Sequence, residues 1–124
     1  MDKKLMHAGI KARREVLGDE YVDRAMKNVD DFNKPFQEIV SEYCWGLAWT
    51  DETLSRRDRS ILNLGMIAAL GKMHEFELHF RGAIRNGLTK EELRSILIQI
   101  SVYCGIRVGA DSFRTAKSAI PEMK

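Results

Sequence analysis

The chain has 124 residues, 44% of them hydrophobic and 31% charged, which is enough to bury one core and excludes both a disordered and a membrane-spanning chain. Twenty basic and 18 acidic residues are well mixed and leave a net charge of +2, so there is no electrostatic footprint for nucleic acid. The opening stretch, MDKKLMHAGIKARREV, carries basic residues but no continuous apolar run, so no signal peptide is read and a cytoplasmic protein is expected, with no membrane partner.

Helical patterning runs nearly throughout, with only two prolines, Pro35 and Pro121. A first helix is expected from Lys3 to Leu17, stopped by Gly18, and a second from Glu20 to Val29. Asn33 reads as the N-cap of a third helix, with proline just inside its start, continuing to about Trp49. Ser55 is the N-cap candidate of a fourth, which ends at Gly71, a left-handed C-cap. The fifth, HEFELHFRGAIRNG, ends at Gly87. Thr89 and Glu92 form a capping box that opens a sixth helix, Gly105 breaks the chain, and a seventh runs to about Ala119 before Pro121. The expected fold is all-α, a bundle of about six to seven helices in a single domain.

The fourth and sixth helices place apolar groups on every side. A chain of this length can hardly enclose two such helices alone, so part of their surface is expected to meet other subunits. Cys44 and Cys104 lie far apart and read as buried free thiols, not as a disulfide or a metal-binding pair.

Polar residues on apolar stripes mark candidate sites. Arg57 shares a stripe with Ile61, Leu64 and Ala68, and a guanidinium there must be paired. Its partner is either a glutamate in a salt bridge or a substrate carboxylate, which the planar fork suits. On the fifth helix Met73, Phe76, Phe80, Ala83 and Ile84 form the core face, beside a stripe of Glu75, His79, Gly82 and Asn86. His74, Arg81 and Arg85 fall on the far side. Glu75, one turn before His79, can fix the tautomer or hold an imidazolium, and Gly82 leaves room for a close approach. Pattern alone favours a structural role for His79. Three histidines without acidic clustering give no metal site.

Three stretches, FNKPFQEIVSEYCWGLAW, LSRRDRSILNLGMIAALGKMHEFELHFRGAIRNGLTKEEL and VYCGIRVGADSFRTAK, carry a resemblance across most of residues 32–117. In combination they resemble the carboxymuconolactone decarboxylases, within the alkyl hydroperoxidase D-like superfamily. The resemblance implies a ring-like homo-oligomer, commonly a hexamer. It implies decarboxylation of γ-carboxymuconolactone, a small lactone carboxylate, to the enol-lactone of β-ketoadipate in aromatic-acid catabolism, with no cofactor. The peroxidase branch of that superfamily uses a C-x-x-C pair before a histidine; if His79 is that histidine, Lys72 and Glu75 stand at the cysteine positions, and dithiol chemistry is not expected. Arg107 stands where close relatives are expected to carry proline, either paired with Asp111 or placed as an added cation near the pocket.

Loss of carbon dioxide from such a lactone sends electrons through the double bond into the carbonyl, and the resulting dienolate needs a proton at its α carbon. The implied roles are His79 as proton donor, Glu75 as its orienting or recharging carboxylate, Arg57 as carboxylate clamp, and Trp45 and Trp49 as pocket walls or ordinary packing residues; a rival assignment makes Glu75 the structural partner of Arg57 and leaves His79 alone.

Overall fold

A computed structural model describes residues 2–120. The expected stop at Pro121 lies outside the described residues. The described chain is helical, with seven α-helices and one π-helical segment, and it divides into two compact units, Met1–Arg56 and Arg57–Lys124.

In the first unit α1 (Lys3–Leu17) starts where Asp2 accepts the amide of Leu5 at 3.0 Å, and stops at Gly18, whose φ of 91° no side chain adopts easily. Helix α2 (Asp19–Lys27) follows directly, two residues shorter at its end than its periodicity indicated. Arg14 holds the corner, with ion pairs to Asp19 at 3.2 Å and Asp23 at 2.7 Å.

Helix α3 (Lys34–Ile39) carries Pro35 in its first turn, as expected. Asn33 stands before it but does not cap it: its side chain accepts the amide of Asp30 at 2.8 Å and donates to the carbonyl of Asn28 at 3.1 Å, closing the preceding turn instead. The helix then widens into a π-helical segment, Val40–Ala48, which its sequence gave no sign of. Helix α1 packs along this segment. The approach is a backbone contact through glycines. A Cβ on Gly9 would stand 2.6 Å from the amide nitrogen of Gly46, and one on Gly46 would stand 2.7 Å from the carbonyl oxygen of Leu5. Trp45 and Trp49 are buried and stacked at 5.0 Å between ring centroids. The hydroxyl of Thr50 donates to the carbonyl of Gly46 and satisfies a carbonyl at the segment's end.

The second unit holds the other four helices: α4 (Arg56–Ala69, whose first residue falls in the first unit), α5 (Met73–Arg85), α6 (Lys90–Cys104) and α7 (Ile106–Lys117). Helix α4 ends at Gly71, with φ 72°, where the amide of Lys72 reaches back to the carbonyl of Ile67 at 3.2 Å. Helix α5 ends the same way at Gly87. The capping box before α6 is complete: Thr89 accepts the amide of Glu92, and Glu92 accepts the amide of Thr89. Leu64, Phe76, Phe80, Leu93, Leu97 and Ala116 centre the core, with Met73 and Ile84 partly buried against it. Helix α7 packs on α5 and α6, and Gly109 lets it come against Ser101 of α6.

The apolar surfaces of α4 and α6 are only partly enclosed. Leu62 and Met66 on α4, Leu70 just past its end, and Ile98, Val102 and Tyr103 on α6 are exposed. No helix among the described residues is long and apolar enough to cross a membrane. Both cysteines are free, but Cys44 is exposed and Cys104 half-buried, so the expectation of two buried thiols does not hold. Desolvation still pushes the Cys44 thiol up, against the opposing pull of Arg13, which leaves it little thiolate to react with.

Candidate active site

The candidate residues divide between the two units. Trp45 and Trp49 belong to the first, where Trp49 lines a cleft of about 400 Å³ with Lys11, Glu15, Asp51, Glu52 and Arg56. Arg57, Glu75, His79 and Arg107 belong to the second.

Arg57 opens the seam along α4. It is paired with a carboxylate, as its position required, but the guanidinium is not buried, at 40% side-chain exposure. One Nη donates to the carbonyl of Gly87 at 2.6 Å and the other to Glu92 at 2.5 Å. The carboxylate is therefore that of Glu92, not Glu75. Glu92 serves twice, since it also accepts the amide of Thr89 at 2.9 Å. The Arg57 hydrogen bond first, and that amide second, hold the Glu92 carboxyl down at about 2. The same pairing raises Arg57. The start of α4 is thus tied to the turn that ends α5 and to the capping box of α6.

One turn along α4, the buried Ser60 accepts a hydrogen bond from the amide of Asn86 at 2.8 Å. One turn further, the amide nitrogen of Asn63 lies 3.5 Å from Nδ1 of His79. Arg57, Ser60 and Asn63, spaced by three, therefore meet Gly87, Asn86 and His79 along one polar seam. Gly82, buried on the same stripe of α5, stands between His79 and Asn86 in sequence.

His79 is half-buried, next to Phe80 of the core. Desolvation lowers its titration from the ordinary 6.5 to about 4. The ring is consequently neutral at pH 7, whereas its residue type alone suggested titration near neutrality. Glu75 lies one turn before it in the first turn of α5 and is exposed, so the carboxylate meets solvent. Arg107 is exposed in the first turn of α7, and the carboxylate of Asp111 is taken by Arg114 at 2.9 Å. Arg81 does not face away from all structure. It pairs with Glu77 at 3.2 Å and donates to the carbonyl of Ser118 at 3.4 Å. Among the described residues no group of three or more His, Cys, Asp or Glu side chains is placed to hold a metal ion.

Sequence reasoning passed over Ser60 and Asn63, and read Glu92 only as part of the capping box. The available signal was the three-residue spacing of Arg57, Ser60 and Asn63, which carries polar groups from the charged first turn into the apolar part of the helix, where they must face polar partners.

The regular elements among the described residues are all helical, and they carry a desolvated histidine in a polar seam and two free cysteines that are not vicinal. The sequence model of the carboxymuconolactone decarboxylase family matches residues 34–118, and the chain belongs to that family. It is 38% identical over 123 residues, 99% of its length and 86% of the relative's, to the nitrosuccinic acid decarboxylase npaB of Metarhizium robertsii. It is 32% identical over 122 residues, 98% of its length and 91% of the relative's, to the 4-carboxymuconolactone decarboxylase of Acinetobacter baylyi. The family and these relatives make the chain a carboxy-lyase.

Proposed function

We propose that the chain decarboxylates γ-carboxymuconolactone to the enol-lactone of β-ketoadipate, with His79 as the proton carrier. The observation that carries this reading is the desolvated imidazole of His79 on α5, within the seam that Arg57 closes at its other end. The carbon–carboxylate bond breaks, carbon dioxide leaves, and the electron pair passes through the double bond into the lactone carbonyl. One proton then enters at the α carbon, so a dianion plus a proton gives a monoanion plus carbon dioxide. The two carboxylates of the bound substrate favour the charged imidazole, opposing the desolvation that keeps the free ring neutral. His79 takes up a proton as substrate binds and gives it to the dienolate. Glu75, exposed one turn away, passes the next proton from solvent. Arg57 receives the retained carboxylate on N–H donors not used by Gly87 and Glu92. Arg107 is a further cation for substrate selection.

The similarity to npaB favours a second reading, nitrosuccinic acid as substrate. The two molecules share a reacting carbon that bears the departing carboxylate, a carboxymethyl arm and an electron sink, a conjugated lactone in one and a nitro group in the other. The sites needed for them differ only at the sink. Turnover of both compounds, followed by ultraviolet absorbance for the lactone and by carbon dioxide release for the nitro acid, decides between them. Failure on both removes this substrate class.

We also propose a homo-oligomer, a hexamer by family resemblance, that covers the exposed apolar side chains of α4 and α6. Light scattering that finds a stable monomer at micromolar concentration removes this proposal.

A further inference from the structure

We infer that Asn63 is a positioning residue for His79: its amide N–H donates to Nδ1, so the neutral ring keeps its proton on Nε2. The inference deepens the reading of His79 as proton carrier and rests on it for its catalytic meaning, but the tautomer is measurable by itself.

A neutral imidazole has one donor and one acceptor nitrogen, and the partner of one nitrogen decides where the proton sits. The Asn63 side chain turns its NH2 group, which can only donate, toward Nδ1. Nδ1 is then the acceptor. The separation of 3.5 Å is at the long end for a hydrogen bond, and hydrogen bonds of this kind commonly tighten once substrate is bound. The seam fixes which α4 side chain meets the ring. Arg57 bonds to the carbonyl of Gly87 at 2.6 Å and Ser60 to Asn86 at 2.8 Å, two turns and one turn before Asn63 in the same three-residue row. With those two bonds made, the rotation of α4 about its axis is set, and the third step of the stripe brings Asn63 to His79. Helix α4 can thus register the imidazole although none of its side chains is a proton carrier.

Heteronuclear ¹⁵N spectra of the full chain at pH 8 read the tautomer, with the His79 signals identified as those lost in His79→Gln. The wild type is expected to carry the proton on Nε2. Asn63→Asp is nearly isosteric, and its ionised carboxylate can only accept, so the proton is expected to move to Nδ1. Asn63→Leu removes the donor and is expected to give a mixture. Its kcat is expected to fall about ten- to a hundred-fold, with KM little changed, as for other lost orienting partners. A wild-type ring protonated on Nδ1, or a tautomer indifferent to both substitutions, overturns the inference. If the tautomer follows Asn63 while His79→Gln turns over normally, the positioning stands and the catalytic reading of His79 falls. If His79→Gln is inactive and the tautomer ignores Asn63, only the positioning falls.

Discussion

The two units join helices in opposite ways. In Met1–Arg56, α1 and the π-helical segment meet backbone to backbone, through Gly9 and Gly46. Among the described residues, charged groups buried in that unit are incompletely satisfied: Arg13 and Glu42 are each 7% exposed, and Nε of one and Oε2 of the other find no hydrogen-bond partner there. In Arg57–Lys124, α4 meets the end of α5 through side chains, and each polar group on the seam has a named partner. A glycine contact fixes distance and offers no chemistry. A side-chain seam fixes rotation as well, and can place a titratable ring beside a core. The contrast fits the proposed placement of the chemistry in the second unit, while the first is joined by close backbone packing.

The most direct way to break that contrast is to remove the ring. His79→Gln is expected to keep the fold and lower kcat by about 10²–10⁴, the usual loss for a general acid or base. Steady-state kinetics with circular dichroism on the same sample check this, and a folded variant with near-normal kcat returns the histidine to a structural role.

The next effect is on stability against pH. The folded ring titrates near 4 and the unfolded one near the ordinary 6.5. Between those values the unfolded chain binds a proton that the folded chain refuses. Stability therefore falls as pH drops from about 6.5 to 4 and levels off below. One unit corresponds to about 1.4 kcal/mol, so the loss is on the order of a few kcal/mol. Urea unfolding across this range measures it, and His79→Gln is expected to flatten that part of the profile.

The first unit should respond to volume instead. Gly46→Ala puts a methyl group 2.7 Å from the carbonyl of Leu5, against backbone that cannot swing away. A loss of about 1–3 kcal/mol is expected. Gly65→Ala on α4 is the control, because nothing lies within 4 Å of its added Cβ. There the gain in helix propensity, up to about 1 kcal/mol, is expected to dominate. Chemical denaturation of both variants sharpens the comparison, and equal losses would erase it.

Legibility followed the same division. Helix boundaries that depend on local chemistry were readable, since Gly18, Gly71, Gly87 and Gly105 all have positive φ and Thr89–Glu92 forms its box. The core face of α5 was readable from period alone. The π-helical segment was not, because α and π windings share residue preferences, and the glycine contact that accompanies it lies on another helix. Asn33 misled because the same side chain can cap a helix or close a turn. At the site, the stripe of His79, Gly82 and Asn86 was visible, but its partners sit on α4, about twenty residues earlier. Periodicity says which face a residue is on and never which neighbour it meets. The Arg57 pairing shows this: a carboxylate was required, and only the fold makes it Glu92, 35 positions away.

The smallest expected effect separates the two uses of Arg57. Arg57→Met keeps the length of the stem and removes the fork. Glu92 then loses the largest of the influences that hold it near 2 but keeps the amide of Thr89, so its midpoint should rise without reaching the ordinary 4.5. The sign follows from the pairing: a depressed carboxylate contributes stability above its unfolded value and loses it as pH falls through the folded one. The pair is solvent-exposed on both sides, so screening keeps the change in stability at neutral pH small. A carboxyl ¹³C titration follows the midpoint directly. If Arg57 also receives the retained carboxylate, KM should rise with kcat less affected, because the clamp acts on bound substrate and transition state alike. A raised Glu92 midpoint with an unchanged KM would leave Arg57 as the tie between α4 and the capping box alone, and would move substrate recognition to other cations, Arg107 first among them.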